Sequence, residues 1–185
     1  MQKIILLFVL VTLIGCTGLH ANNRAATSDA DKTSATIDSK QVASHNAIYE
    51  VQVADGVSYQ DVVDSLKSVS EGMNFVNPAN FPIGEHMKLR GVDPQGVKEV
   101  HSFCNLSMGT EIILDHPEFL VFAPCRIALY EKPDSNKKIK LFIGLARPTV
   151  DLKNIKNPTE RAVKSAQQLE DALIQLIEKA RKGDI

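Results

Sequence analysis

The chain has 185 residues, room for one ordinary domain and one core once any targeting segment is set aside. Its 21 Lys and Arg stand against 22 Asp and Glu, a formal net charge of -1, so no basic surplus draws it onto nucleic acid. The 44% hydrophobic content averages three unlike parts: an apolar N-terminus, a polar stretch and a globular remainder.

Residues 1–15 read as a secretory signal. Lys3 precedes an apolar run from Ile4 to Ile14, which is too short for a membrane span of roughly 20 residues. The end of the run, Leu13-Ile14-Gly15-Cys16, resembles the lipobox of bacterial lipoproteins. That resemblance implies cleavage before Cys16, acylation of its sulfur and new amino terminus, and anchoring to a lipid membrane by several chains, where one would be marginal. Thr17 follows where an aspartate would suggest inner-membrane retention, so the resemblance implies the outer membrane, with the domain facing the periplasm. Residues 16–46 carry only Leu19, Ile37 and Val42 as large apolar side chains after the cysteine. They are expected to form a flexible polar tether of roughly 30 Å root-mean-square span, with His20 and His45 as solvated linker histidines.

Residues 47–185 are read as a single α+β domain. Alternation of Ala47, Tyr49, Val51 and Val53 predicts a half-buried strand. Ser58 and Asp61 predict a capped helix with Tyr59, Val62, Val63, Leu66 and Val69 inward and Gly72 as its stop. A strand from Met73 to Val76, a break at Asn77–Pro82 and a helical turn over Ile83–Arg90, with His86 exposed, follow. Val97–Phe103 predicts another strand, and Asn105 or Ser107 caps a helix through Leu114 that Pro117 ends. Phe119–Glu131 alternates as a strand, disturbed at Pro124. The turn at 133–136 then makes a hairpin with Lys138–Ala146. Asn157, Pro158 and Glu160 predict the start of a long C-terminal helix that turns Ala162, Val163, Ala166, Leu169, Leu173, Leu176, Ile177 and Ala180 inward. Strands, a hairpin and separated helices indicate a small two-layer sandwich: a mainly antiparallel sheet with helices packed on it.

Two stretches resemble a known family. Phe103-Cys104-Asn105-Leu106 stands about twenty residues before Ala123-Pro124-Cys125-Arg126-Ile127-Ala128-Leu129-Tyr130-Glu131. Together they are similar to the paired signatures of domain-of-unknown-function family 302, whose usual forms are a Cys-Asn-Pro step and a Leu-Pro-Cys-Asn run ending in Val-Tyr-Glu. The likeness covers roughly residues 47–182 and includes the Asn157-Pro158 entry to the last helix. Leu106 replaces the usual proline and Arg126 the usual asparagine. The resemblance implies a small α+β sandwich and a homodimer, and it implies no activity or cofactor.

The candidate thiol or ligand site is Cys104, Asn105, Cys125 and Arg126. Three readings of the cysteines stand open: a disulfide in an oxidising compartment; a redox, sulfur-carrying or metal-binding thiol pair, with Cys104 acidified by the following helix N-terminus; and two buried small apolar side chains. His101 is three residues before Cys104 and faces the other way in a strand. His116 has no evident partner. Arg126 either holds an anion or pairs with Glu111 or Glu131. No nucleophile elbow, His-Glu zinc helix, Cys-x-x-Cys or phosphate-binding glycine loop is present, which disfavours common hydrolases and nucleotide enzymes. Function is therefore read as a membrane-anchored binding domain for a small-molecule or protein partner, with thiol chemistry at Cys104 and Cys125 as the alternative.

Overall fold

The structure, a computed structural model, describes residues 47–185. The lipobox, Cys16 and the polar stretch to residue 46 lie outside the described residues. Five strands, β1 (Ile48–Gln52), β2 (Val76–Phe81), β3 (Lys98–Cys104), β4 (Cys125–Pro133) and β5 (Ile139–Ala146), form one sheet in the order β1-β5-β4-β3-β2. Every neighbouring pair is antiparallel. Helices α1 (Tyr59–Gly72), α2 (Ile83–Leu89), α3 (Leu106–Asp115), α4 (Pro148–Leu152) and α5 (Glu160–Ala180) complete the α+β fold.

Strand alternation decides which face is core. Ile127 pairs with Leu145 and Leu129 with Ile143, and all four are fully buried. Tyr49 and Val51 extend this face across β1, and His101 and Phe103 across β3. Val62, Leu66 and Val69 of α1, Ile112 of α3, and Leu169, Leu173, Leu176 and Ile177 of α5 cover it. Burying each such aliphatic side chain is worth roughly 1.5–3 kcal/mol before the entropy of ordering.

The capping box at α1 forms as its sequence indicates: Ser58 Oγ accepts from Asp61 N at 3.1 Å, and Asp61 Oδ2 accepts from Ser58 N at 2.8 Å. Elsewhere the boundaries move. Helix α1 includes Gly72, Met73 caps it, and Asn74 takes the left-handed conformation at φ 59. Strand β2 runs through Asn77 and Pro78 instead of stopping before them. It is an edge strand with a register shift between Val76 and Ala79, and there a proline's missing N–H costs no ladder bond. Residues Pro117–Phe122 form a 3-10 helix, so β4 begins only at Cys125, after a cis Ala123–Pro124 bond. Its alternation misled because Val121, placed inward by the pattern, is 81% exposed.

The long C-terminal helix is present, but Thr159 caps it and Asn157 sits outside with φ 54. Val163 is 49% exposed, so the inward stripe narrows to the remaining positions. Helix α4, unforeseen in the sequence, turns the chain from β5 toward α5. Glu170, 1% exposed on α5, fastens that turn. Its Oε1 accepts from Arg147 Nε at 2.8 Å and from an Arg147 terminal nitrogen at 2.6 Å. Its Oε2 accepts from Thr149 N at 3.1 Å and Thr149 Oγ1 at 2.5 Å. Removing one member of a buried pair is expensive, so Glu170→Ala is expected to lower unfolding free energy by about 3 kcal/mol in urea titrations. A loss below about 1 kcal/mol would show that the pair is not a structural anchor.

Candidate functional site

Cys104 ends β3 and Cys125 begins β4. The register pairs Phe103 with Cys125, so Cys104 lies one residue past its neighbour's partner on an adjacent strand. Neighbouring strands run about 4.8 Å apart, which brings the two backbones close. Strict alternation would send the two side chains to opposite faces, but the chain leaves the strand at Cys104 to enter α3. Both cysteines line one pocket. They are free thiols.

The pocket lies between the end of β3, α3, the 3-10 helix and α4. Phe103, Phe119, Phe122, Pro124 and Leu169 make its walls apolar, Gly109 and Ile113 present the α3 side, and Asp151 brings in a carboxylate from α4. Its cavity volume is about 40 Å³. Asn105, buried and lining the same pocket, is spent on structure. Its Oδ1 accepts from Met108 N at 3.2 Å and from Ser107 Oγ at 2.8 Å, capping α3.

Burial pushes the Cys104 thiol up from its ordinary range. It pushes Cys125 further, to about 12, with the negative charges that Cys104 and Asp151 would carry adding to the effect and Arg126 opposing it. The helix N-terminus that could acidify Cys104 is outweighed by desolvation. The Asp151 carboxyl is also raised by burial, with the Arg126 charge acting against it. At neutral pH the pocket therefore holds two protonated thiols.

Arg126 is exposed and does not line the pocket, because it follows Cys125 and points to the opposite face. Neither carboxylate considered for it is its ion-pair partner here. Glu111 meets Arg161 at 3.4 Å, and Glu131 Oε2 accepts from Val97 N at 2.9 Å. His101 is 3% exposed on the core face, away from the pocket, with Nε2 3.5 Å from Glu99 Oε1 and no hydrogen bond. Burial lowers its pKa. His116 has a structural partner: its Nε2 accepts from Thr159 N at 3.0 Å, joining the end of α3 to the start of α5. His86 is exposed. Asp151 escaped the sequence reading because the short helix carrying it has no periodic signal. Among the described residues no three His, Cys, Asp or Glu side chains converge as a metal-ligand set.

The raised Cys125 pKa has a definite linkage sign. Between the free-thiol value of about 8.5 and the folded value, the unfolded chain loses a proton that the folded chain keeps. The stability associated with the buried thiol is full below about pH 8.5 and declines as pH rises toward 12. A Cys125→Ala chain is expected to show a flatter alkaline limb in thermal melts between pH 8 and 10. Native alkylation of both thiols is expected to be far slower than that of a model thiol and to become complete only after denaturation. Fast native labelling of either would contradict the burial argument.

Comparison with known proteins agrees with this architecture. Residues 49–180 match the family model described as "Domain of unknown function DUF302". An uncharacterized protein of Aquifex aeolicus (strain VF5) is 30% identical over 98 residues, 53% of this chain and 61% of that protein's length. The crystal structure of an uncharacterized conserved DUF302 protein from Bacillus stearothermophilus superposes with a TM-score of 0.63 at 17% identity, covering 72% of this chain and 98% of that one. The five-stranded antiparallel sheet, its helical layer and the matched residues 49–180 together place this chain in the DUF302 family.

Proposed function

We propose that the protein is an outer-membrane lipoprotein facing the periplasm, and that its domain is a binding module acting through the pocket at Cys104 and Cys125. The observation that carries the binding reading is a chamber with largely apolar walls into which two protonated thiols, Asn105 and the Asp151 carboxyl bring the polar groups. Thiol-dependent redox or sulfur-carrier catalysis needs a thiolate at working pH, and burial opposes it at both cysteines. Binding asks only that the walls stay put, which Asn105 and the α3 cap favour. A benzene-sized ligand occupies a cavity of roughly 150 Å³. A chamber of about 40 Å³ therefore suits a body of very few atoms.

The anchoring part is supported by Leu13-Ile14-Gly15-Cys16 and the polar stretch after it. Replacement of Cys16 by Ser is expected to move the protein from the membrane fraction to the soluble envelope fraction. Unchanged fractionation with membranes would refute the anchor.

A homodimer is the association we propose for the uncovered face of the sheet. That face carries Ile48 at 50% and Phe81 at 47% exposure, with Val100, Ala128 and the stacked Tyr130–Phe142 pair between them. Ile48 and Phe81 stand exposed at the two margins of this face with less exposed apolar side chains between them, and exposed apolar surface is a common mark of an interaction site. Sedimentation equilibrium is expected to give a dimer for the parent chain and a monomer for Phe81→Glu. Unchanged mass for the variant would remove this face from the interface.

A further inference from the structure

We infer that Cys104 and Cys125 form a two-coordinate site for a soft monovalent metal ion, of which cuprous copper is the biological instance. The inference rests on the reading of their pocket as a binding site and names its ligand class. The donor set argues first. Cys104 and Cys125 line one chamber with Asp151, and among the described residues no three His, Cys, Asp or Glu side chains group as a metal-ligand set, which leaves the two thiols as the donors. Zinc takes four ligands in structural sites and three protein ligands in catalytic ones, and calcium and magnesium require shells of oxygen. Thiolate donors select soft ions, and cuprous copper accepts two of them.

Size argues next. A cavity of about 40 Å³ has room for an ion or a few atoms, well short of the roughly 150 Å³ that holds a benzene-sized ligand. The walls of Phe119, Phe122 and Pro124 are apolar and offer the ion no competing donor. Charge closes the balance. Each thiol gives its proton to water as its sulfur bonds the metal, so two S–H bonds break, two S–Cu bonds form and copper stays monovalent. The dithiolate complex carries one net negative charge. Arg126 stands outside the chamber, but its positive charge acts on Cys125 and Asp151 and is placed to offset that charge. High thiol pKa values are compatible with this chemistry, because the metal and not a base drives deprotonation.

The test is an anaerobic titration of the full-length, detergent-purified, reduced protein with cuprous ion held by bicinchoninate, read by chelator colour and native mass. The expected result is one copper per chain and two protons released. Cys104→Ser and Cys125→Ser are each expected to lose more affinity than the roughly 10- to 100-fold typical of an outer-shell change, and Arg126→Ala to lose about tenfold. Circular dichroism checks that each variant is folded. Should Cys125→Ser not fold, Cys104→Ser and the parent stoichiometry still decide the matter. No uptake by the parent, or parent-like uptake by folded Cys104→Ser, overturns the copper assignment. The underlying binding reading fails separately. It survives if protein isolated from its own cells carries a different mass that denaturation releases, and it fails with the copper assignment if such protein is bare and takes up no copper.

Discussion

Glu170 is the fixed point of this molecule. A carboxylate 1% exposed on the long helix is tolerable only because Arg147 and Thr149 supply four donors to it, and those residues flank the turn out of the hairpin. The long helix can slide against an apolar sheet at little cost, since hydrophobic contact is non-directional. It cannot slide past a buried ion pair. The pair sets the depth at which Leu169, Leu173 and Leu176 enter the core. Leu169 is also a pocket wall, so the register of helix on sheet sets the pocket's dimensions.

A second set of polar contacts fixes the other end. Thr159 donates to Asp115 Oδ2 at 2.6 Å, Arg161 Nε meets the same oxygen at 3.0 Å, and His116 receives the Thr159 N–H. Arg161 holds the Asp115 carboxyl well down, to about 2, helped by the Thr159 hydroxyl. The helix bearing the pocket's Gly109 and Ile113 is thereby joined to the long helix at its end, while Ser165 Oγ donates to Met108 O at 2.8 Å along its length. The pocket is thus framed by parts braced independently of the thiols. Its walls require no ligand to form them.

Much of this was legible in the sequence, and the failures have physical reasons. Periodicity located β1, α1, β3, the hairpin and α5, because each buries a regular stripe. Pro78 and Pro124 misled in opposite directions. A proline is read as a break, yet on an edge strand it can remain in the sheet. Phe119, Val121 and Ala123 alternate like a strand, but a 3-10 turn following Pro117 uses only Phe119 as an anchor. Asn157 and Thr159 both suit a helix start, and local propensity could not choose between them. His116 and Asp115, forty-odd residues away, favour Thr159. At the site, proximity of the two cysteines was not readable, since it depends on the β3–β4 register and on the chain turning at Cys104. Arg126 was counted with the site, although alternation puts it on the face opposite Cys125, where it is exposed. The presence of Asp151 was not readable, because it arrives on a five-residue helix.

The irregular edge at β2 bears on how copies of such a protein can meet. An open sheet ends in two rows of main-chain donors and acceptors that invite another strand. Here one row is interrupted: Pro78 has no N–H to offer, the register shifts beside it, and the Asn77 side chain donates inward to Ser102 O at 2.7 Å. A foreign strand laid along β2 would find its ladder broken midway. Backbone pairing between copies, which has no natural end, is thereby opposed at that margin.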